Sequence, residues 1–446
     1  MNIWQQRKCA LMKAMNFTRD RFAQQTLTNS NGGNDQAISP NSAELVQLLD
    51  QLMAFTNRLF DYFYCGFYVE KNLQLSSEYP PAYVLGQVLN QASSDLAVIT
   101  QILNQRLIDF PAQLANGQAS APQQTALARA DYLAAKALAP AIDLNLVEGG
   151  SMVTYLQKLL TIRTVPYAPV VLIGIPYTSI GVARDYLAIP HEIGHYVYWH
   201  GRQANQPLWY NLDKQLQKTA LDEAHNWFDM WQEEIFADVY GSLVAGPILA
   251  QSAQDLELST TQQDFVGTDG EHPSPVLRPR IYLKVLSQMG DFYREWAHKL
   301  DEQWQARLRE RVQNGGCPGL SMASFDQITL PDGAKLWVDD VISEGIDLDC
   351  SKPVDYIIQQ CLNLLGSLPE HANFWLSASA TEDDLYENFE KWLENVSGND
   401  QTNPALPPPC LGRLLRKWEA LGQDTCPPWR YVLENGWADK GPHGRH

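Results

Sequence analysis

Residues 190–196 read Pro-His-Glu-Ile-Gly-His-Tyr, which sets His191 and His195 four positions apart. On a helix, side chains at i and i+4 lie one turn apart on the same face, so both imidazoles can point at one ion. Glu192 projects beside them, where a carboxylate is suited to activating a metal-bound water rather than to ligating. Zinc takes about four tetrahedral ligands, and a catalytic site leaves one of those positions to water. Two histidines are therefore one protein ligand short of a site.

Two spacings can supply that ligand. One is a histidine six residues after His195, preceded by a glycine three residues after it. Here those positions are Gly201 and Tyr198, and His200 is one residue out of step. The other is a glutamate from a later helix with an aspartate four residues on. Residues 231–242 read Trp-Gln-Glu-Glu-Ile-Phe-Ala-Asp-Val-Tyr-Gly-Ser, so Glu234 and Asp238 satisfy it. Competing acids fit less well, because Glu223 is followed four on by Trp227 and Glu233 by Ala237. Glu234 completes a two-histidine, one-carboxylate set. Asp238, one turn further, can accept the outer N–H of a ligand histidine, fixing its tautomer and raising its basicity. Ala237 and Gly241 are small enough to let this helix approach the one bearing the histidines. Phe236 and Val239 are expected to point into the core.

On His191-Glu192-x-x-His195 and Glu234-x-x-x-Asp238 the chain resembles the gluzincins, the thermolysin-type class of zinc metallopeptidases. The first spacing, which fails, is that of the metzincins. The resemblance spans roughly residues 168–280. It implies Zn2+ held by His191, His195 and Glu234, with Glu192 as general base and Asp238 as the outer partner of His191. It also implies that the strand at 170–175 belongs to a sheet above the cleft, its edge pairing with an extended peptide. The expected reaction is hydrolysis of a peptide bond in a protein or peptide substrate. Zinc lowers the pKa of bound water toward about 7, and Glu192 takes the water proton and passes it to the leaving amine.

Downstream, Glu271-His272-Pro273-Ser274-Pro275-Val276-Leu277-Arg278-Pro279-Arg280 is similar to a segment of some membrane-embedded gluzincins, whose histidine and arginine lie near the metal cleft. The membrane helices of those proteins are missing here. His272 or Arg278 would then stabilise the oxyanion of a tetrahedral intermediate. The alternative is a proline-defined helix start with solvated arginines. Tyr240 and His225 are further donor candidates.

A second function class is a binding or scaffold protein that keeps a metal site without turnover. Glu192 favours the enzyme, because a purely structural site has no need of a base. An endo-acting enzyme is preferred: Gly150-Ser151-Met152-Val153 does not supply the Gly-x-Met-Glu-Asn stretch with which one aminopeptidase class grips a free amino group. The 446 residues carry a formal net charge of −18, which repels phosphate backbones and anionic lipid and so argues against nucleic-acid or membrane partners. The seven cysteines form no C-x-x-C pair and are expected to be mostly reduced thiols, a bridge among the C-terminal five staying open. No apolar stretch is long enough for a signal-peptide core or a membrane span, so a cytoplasmic location is expected, export without a cleavable signal aside. Oligomeric state is not legible.

These residues need elements to hold them. The polar stretch 24–41 reads as part of a flexible N-terminal arm, 1–41. Ser39-Pro40-Asn41-Ser42 looks like a helix start, with Leu45, Leu48, Leu49 and Leu52 forming its apolar stripe. With further helical patterns at 82–107 and 123–138, residues 42–150 form an N-terminal helical region. The catalytic domain is expected over 151–320: a strand at 168–177, an amphipathic segment at 184–200 and helices at 214–250 and 276–313. Residues 321–446 are read as mixed and mostly helical, with a hairpin around Pro331-Asp332-Gly333 and helices near 352–366 and 381–396. The fold class is α+β and mainly α-helical: a zincin-like catalytic domain with a small sheet and two site helices, flanked by helical regions.

Overall fold

The apolar run at 170–175 has no polar residue to turn toward water, so a strand made from it must be covered on both faces. The computed structural model describes residues 2–28, 42–73, 79–107, 122–147, 151–165, 167–168, 170–204, 206–218, 228–261, 264–265, 272–313, 327–329, 335–337, 352–366, 368 and 384–396. The run becomes β3 (Val170–Pro176), the middle strand of a sheet with β1 (Ser151–Gln157) and β2 (Thr161–Thr164). β1 runs parallel to β3 and β2 antiparallel. Successive side chains leave opposite faces of a strand. Met152, Leu156, Val171, Ile173 and Ile175 accordingly join one core, and Val153, Tyr155, Val170 and Leu172 another.

The second face is covered by α1 (Ile3–Thr28), α2 (Ser42–Tyr64) and α3 (Pro81–Leu107), through Met15 and Phe22, the anticipated stripe of Leu45, Leu48, Leu49 and Leu52, and Ile99, Ile102 and Leu103. The expected flexible arm is thus corrected over residues 3–28. Met15 and Phe22 have no exposed surface, Arg19 pairs with Asp50 and Lys8 with Asp61. The apolar residues of this helix are too sparse to read as a stripe, and only docking on α2 and α3 makes a few of them enough. Residues 29–41 lie outside the described residues.

The first face is covered by α4 (Pro122–Asp143) and α5 (Ile189–His200), the latter entered through 3-10 turns at Tyr177–Ile180 and Ala183–Ala188. Next come a two-stranded β4 (Arg202–Gln203) and β5 (Gln206–Pro207), then α6 (Leu208–Lys218), α7 (Phe228–Ala245), α8 (Pro247–Glu257), α9 (Arg278–Gln288) and α10 (Asp291–Gln313). β6 (Gln327–Thr329) and β7 (Lys335–Trp337) form the anticipated antiparallel pair, and α11 (Lys352–Leu365) and α12 (Asp384–Val396) follow. One continuous core holds Leu133 and Leu138 of α4, the site helices, and Ile357 and Phe389 of α11 and α12, so it crosses the expected boundaries at 150 and 320. The protein is mainly helical with a small sheet, and among the described residues no helix is long and apolar enough to cross a membrane.

The two edges of the sheet differ. Along the outer edge of β1, Thr154 N–H donates to Asp131 and the Thr154 carbonyl accepts from Arg106. Leu156 N–H donates to Gln105, and its carbonyl accepts from Gln101 and Gln105. That edge is closed by side chains. Among the described residues no comparable hydrogen bond is seen along the outer edge of β2, whose residues are half-buried to buried. The expectation that the 170–175 strand offers an edge to a peptide is therefore corrected: both edges of β3 are paired.

Small residues set the spacing of the site helices. A Cβ on Gly194 would come 2.6 Å from Ala237 Cα and 2.9 Å from its carbonyl oxygen, and one on Gly241 would come 3.3 Å from His191 N. In an exposed helix, Gly→Ala gains about 1 kcal/mol of helix propensity. Here the clash with backbone prevails, and overpacking of this kind costs about 1–3 kcal/mol. Gly194→Ala is expected to lower the thermal unfolding midpoint, read by calorimetry; a raised midpoint would show that the helices are not in contact there.

Candidate metal centre

α5 begins with Pro190 in its first turn, where the missing N–H has no helical partner to lose. His191 and His195 follow one turn apart on its inner face, their rings 4.8 Å between centroids and perpendicular. Opposite runs α7, in which every residue from Trp231 to Ala245 is buried except Glu233 and Glu234. A helix buried almost all round can carry carboxylates only where partners meet them.

Those partners are the two histidines. His191 Nε2 and His195 Nε2 are 3.1 Å apart. His191 Nε2 lies 3.4 Å from Glu234 Oε2, and His195 Nε2 lies 3.5 Å from Glu234 Oε1. A tetrahedral ion with bonds of about 2.0–2.1 Å needs ligand atoms about 3.3–3.4 Å apart. Each of these contacts is near that length, the two to Glu234 ending on different oxygens of its carboxylate, and the donors are the nitrogen and oxygen types zinc takes. The residues present fit the ion.

Further groups surround the three candidate ligands. His191 Nδ1 sits 2.8 Å from Asp238 Oδ1, close in distance though off the direction of a well-formed hydrogen bond. Asp238 has no exposed surface. Arg278 grips it with a fork, Nε donating to Oδ2 at 3.0 Å and Nη2 to Oδ1 at 3.0 Å, and the Tyr282 hydroxyl donates to Oδ1. Arg278 Nη2 also donates to Glu234 Oε2 at 3.0 Å and lies 3.2 Å from His191 Nε2. Because Nε2 has one lone pair, a metal taking His191 displaces the last of these contacts. At His195, Nδ1 meets Glu233 Oε1 at 2.9 Å.

The charges set one another. Burial opposes charge on His191, but Asp238 and Glu234 outweigh it and hold the imidazolium up to about 9. His195 is raised likewise, burial being overcome by Glu234 and Glu233. Burial would lift Glu234 and Asp238; His195, His191 and Arg278 hold Glu234 well below the usual carboxylate range, and Arg278 and His191 hold Asp238 below it. Glu257, at the end of α8 and 3.9 Å from Arg278, is pushed up to about 7, because burial there exceeds the pull of the guanidinium.

The other expected residues divide. Glu192 is partly buried beside His191, and among the described residues no hydrogen-bond or ion-pair partner takes its carboxylate. His272, its side chain 44% exposed, brings Nε2 to 3.3 Å from Glu234 Oε1. Arg278 reaches the site with Nε and Nη2 committed to Asp238 and Glu234, a different position from a donor facing substrate. Tyr240 does not reach it: the ring is wholly buried, its hydroxyl donates to the Ala137 carbonyl at 2.7 Å, and burial lifts its pKa above the usual phenol range. It follows Val239 into the core because the inward stripe of α7 is wide. His225 lies outside the described residues. Sequence reasoning set Glu233 aside for want of an aspartate four on, and missed Tyr282, which the i, i+4 spacing from Arg278 places on one face of α9. Among the described cysteines, Cys9, Cys65 and Cys361 are unpaired.

Compared with known proteins, the chain matches no family model, no curated protein and no solved structure.

With its pKa near 9 against an ordinary 6.5, charged His191 stabilises the metal-free protein fully below pH 6.5, and that contribution is lost as pH rises through about 9. A metal must displace the same proton. Zinc affinity, read by chelator-buffered titration, is expected to climb with pH until about 9. A plateau already at neutral pH would contradict the arrangement. Glu234→Ala is expected to lose more than the roughly 10–100-fold that removing an outer partner costs.

Proposed function

We propose that this protein is a zinc-dependent metallopeptidase of the thermolysin-type class, acting on peptide bonds of a protein or peptide substrate through a zincin-like catalytic region. The observation that carries the reading is the cluster of His191, His195 and Glu234: the two Nε2 atoms lie 3.1 Å apart, that of His191 3.4 Å from Glu234 Oε2 and that of His195 3.5 Å from Glu234 Oε1. Its support is the company the cluster keeps: an acid beside it with no partner among the described residues, a buried carboxylate behind one histidine and a small sheet alongside.

When bound, zinc supplies Lewis acidity, lowering the pKa of water toward about 7 and polarising a carbonyl. Glu192 is the proton carrier, next to His191 on the first turn of α5, its carboxylate without a partner among the described residues. It accepts a proton from water and returns it to the departing amine nitrogen. His272, the most exposed of the polar groups around Glu234, is the donor positioned to meet negative charge developing on the carbonyl oxygen. Arg278 and Asp238 keep His191 and Glu234 in place before substrate arrives, so that little reorganisation is needed during reaction. An extended peptide finds its main-chain partners on β2, the antiparallel edge strand packed against α5, by strand addition.

Glu192→Gln is the deciding variant. It keeps the size of the side chain and removes the base. The expected outcome is zinc content equal to wild type with hydrolysis of a fluorogenic peptide library lowered about 10²–10⁴-fold. Undiminished hydrolysis by the variant, or none by zinc-loaded wild type, would refute the reading.

A further inference from the structure

His191 is backed by Asp238, the aspartate that the Glu234-x-x-x-Asp238 spacing brings with it. His195 has no partner in that motif, and the structure supplies one from an unexpected position. Glu233 Oε1 lies 2.9 Å from His195 Nδ1 and accepts from Trp199 Nε1 at 2.7 Å. His191, His195 and Trp199 recur every four residues along one face of α5, so the indole stands one turn beyond the second histidine. An indole N–H can only donate, and a carboxylate can only accept. With both donors converging on a single oxygen, the carboxylate is fixed from two sides. The indole in turn is held against Tyr198 and Trp209, at ring-centroid distances of 5.1 and 6.2 Å.

We propose that Glu233, braced by Trp199, is the positioning residue for His195. It keeps the Nδ1 proton in place so that Nε2 presents its lone pair to the metal. The inference rests on the zinc reading above. Neighbouring positions on a helix point about 100° apart, so Glu234 can face the ion while Glu233 reaches past the back of the second imidazole. α7 then supplies one ligand and the carboxylates behind both of the others. That explains why Glu233 and Glu234 are the two residues of its buried stretch left partly open. A simple tie between α5 and α7 is the competing account. It would leave the tautomer and the metal affinity untouched, because the close packing of Gly194 on Ala237 already joins those helices.

The test uses the full-length protein, with zinc affinity from chelator competition and the His195 tautomer from long-range ¹H–¹⁵N spectra of histidine-labelled, zinc-loaded protein. Glu233→Ala is expected to weaken zinc binding roughly 10–100-fold, the range for loss of an outer-shell partner, and to abolish the slowly exchanging Nδ1–H signal of His195. Glu233→Gln retains an acceptor oxygen, so it should restore most of the affinity and the signal. It also guards against a misfolded alanine variant, which the thermal midpoint of the metal-free protein would reveal. Trp199→Phe should lower affinity less, since His195 keeps its acceptor. Affinity within about twofold of wild type for both Glu233 variants would overturn this inference and leave the zinc reading standing. A wild type that takes up no zinc would overturn both.

Discussion

An aspartate with no exposed surface has to be neutralised where it sits, and most of the site follows from how Asp238 is. Withdrawing a carboxylate from water costs several kcal/mol even after relaxation, and only close, well-directed partners offset that. The fork of Arg278 and the hydroxyl of Tyr282 are directed at it, and the imidazole of His191 lies beside it with Nδ1 2.8 Å from Oδ1. Those partners come from α9 and α5, so satisfying one charge on α7 fixes three helices relative to one another. Taking away a single partner of such a cluster costs about 3–5 kcal/mol, because the remaining charge is left buried and unpaired. The network that aims His191 is also what joins the site helices.

Packing makes that convergence possible. Glycine at 194 lets α5 lie directly on the backbone of α7 at Ala237, close enough for imidazoles one turn apart to meet a carboxylate from the facing helix. The covered sheet serves as a wall for α5: residues such as Ile173 and Ile175 join the core that holds Ile189, Ile193 and Val197. The outer edge of β1 is closed by side chains of Asp131, Arg106, Gln101 and Gln105.

How much of this the sequence discloses depends on how local the governing interaction is. His191, His195, Glu234 and Asp238 were legible because helix periodicity is strict and both pairs lie within one turn. The leucine stripe of α2 and the run of β3 were legible for the same reason. β1 and β2 were not. The middle of β1 carries Thr154, a polar residue that is buried only because Asp131 and Leu127, more than twenty positions away, accept from its hydroxyl. α1 escaped notice because its few apolar residues matter only once α2 is present. Tyr240 was misjudged for a related reason: nothing local distinguishes a tyrosine facing a cleft from one whose hydroxyl meets a carbonyl of another helix. Glu233 shows the converse, a residue rejected by one spacing rule and placed by a contact that no rule of spacing describes.

The central claim is that two imidazoles and one carboxylate from facing helices make a zinc site. Zinc K-edge X-ray absorption on the reconstituted protein tests it most directly. The account predicts a shell of about four nitrogen and oxygen donors near 2.0–2.1 Å with outer-shell scattering from two imidazoles. A shell of oxygen alone, a sulfur shell near about 2.3 Å, or a protein that releases its zinc on dialysis would contradict it.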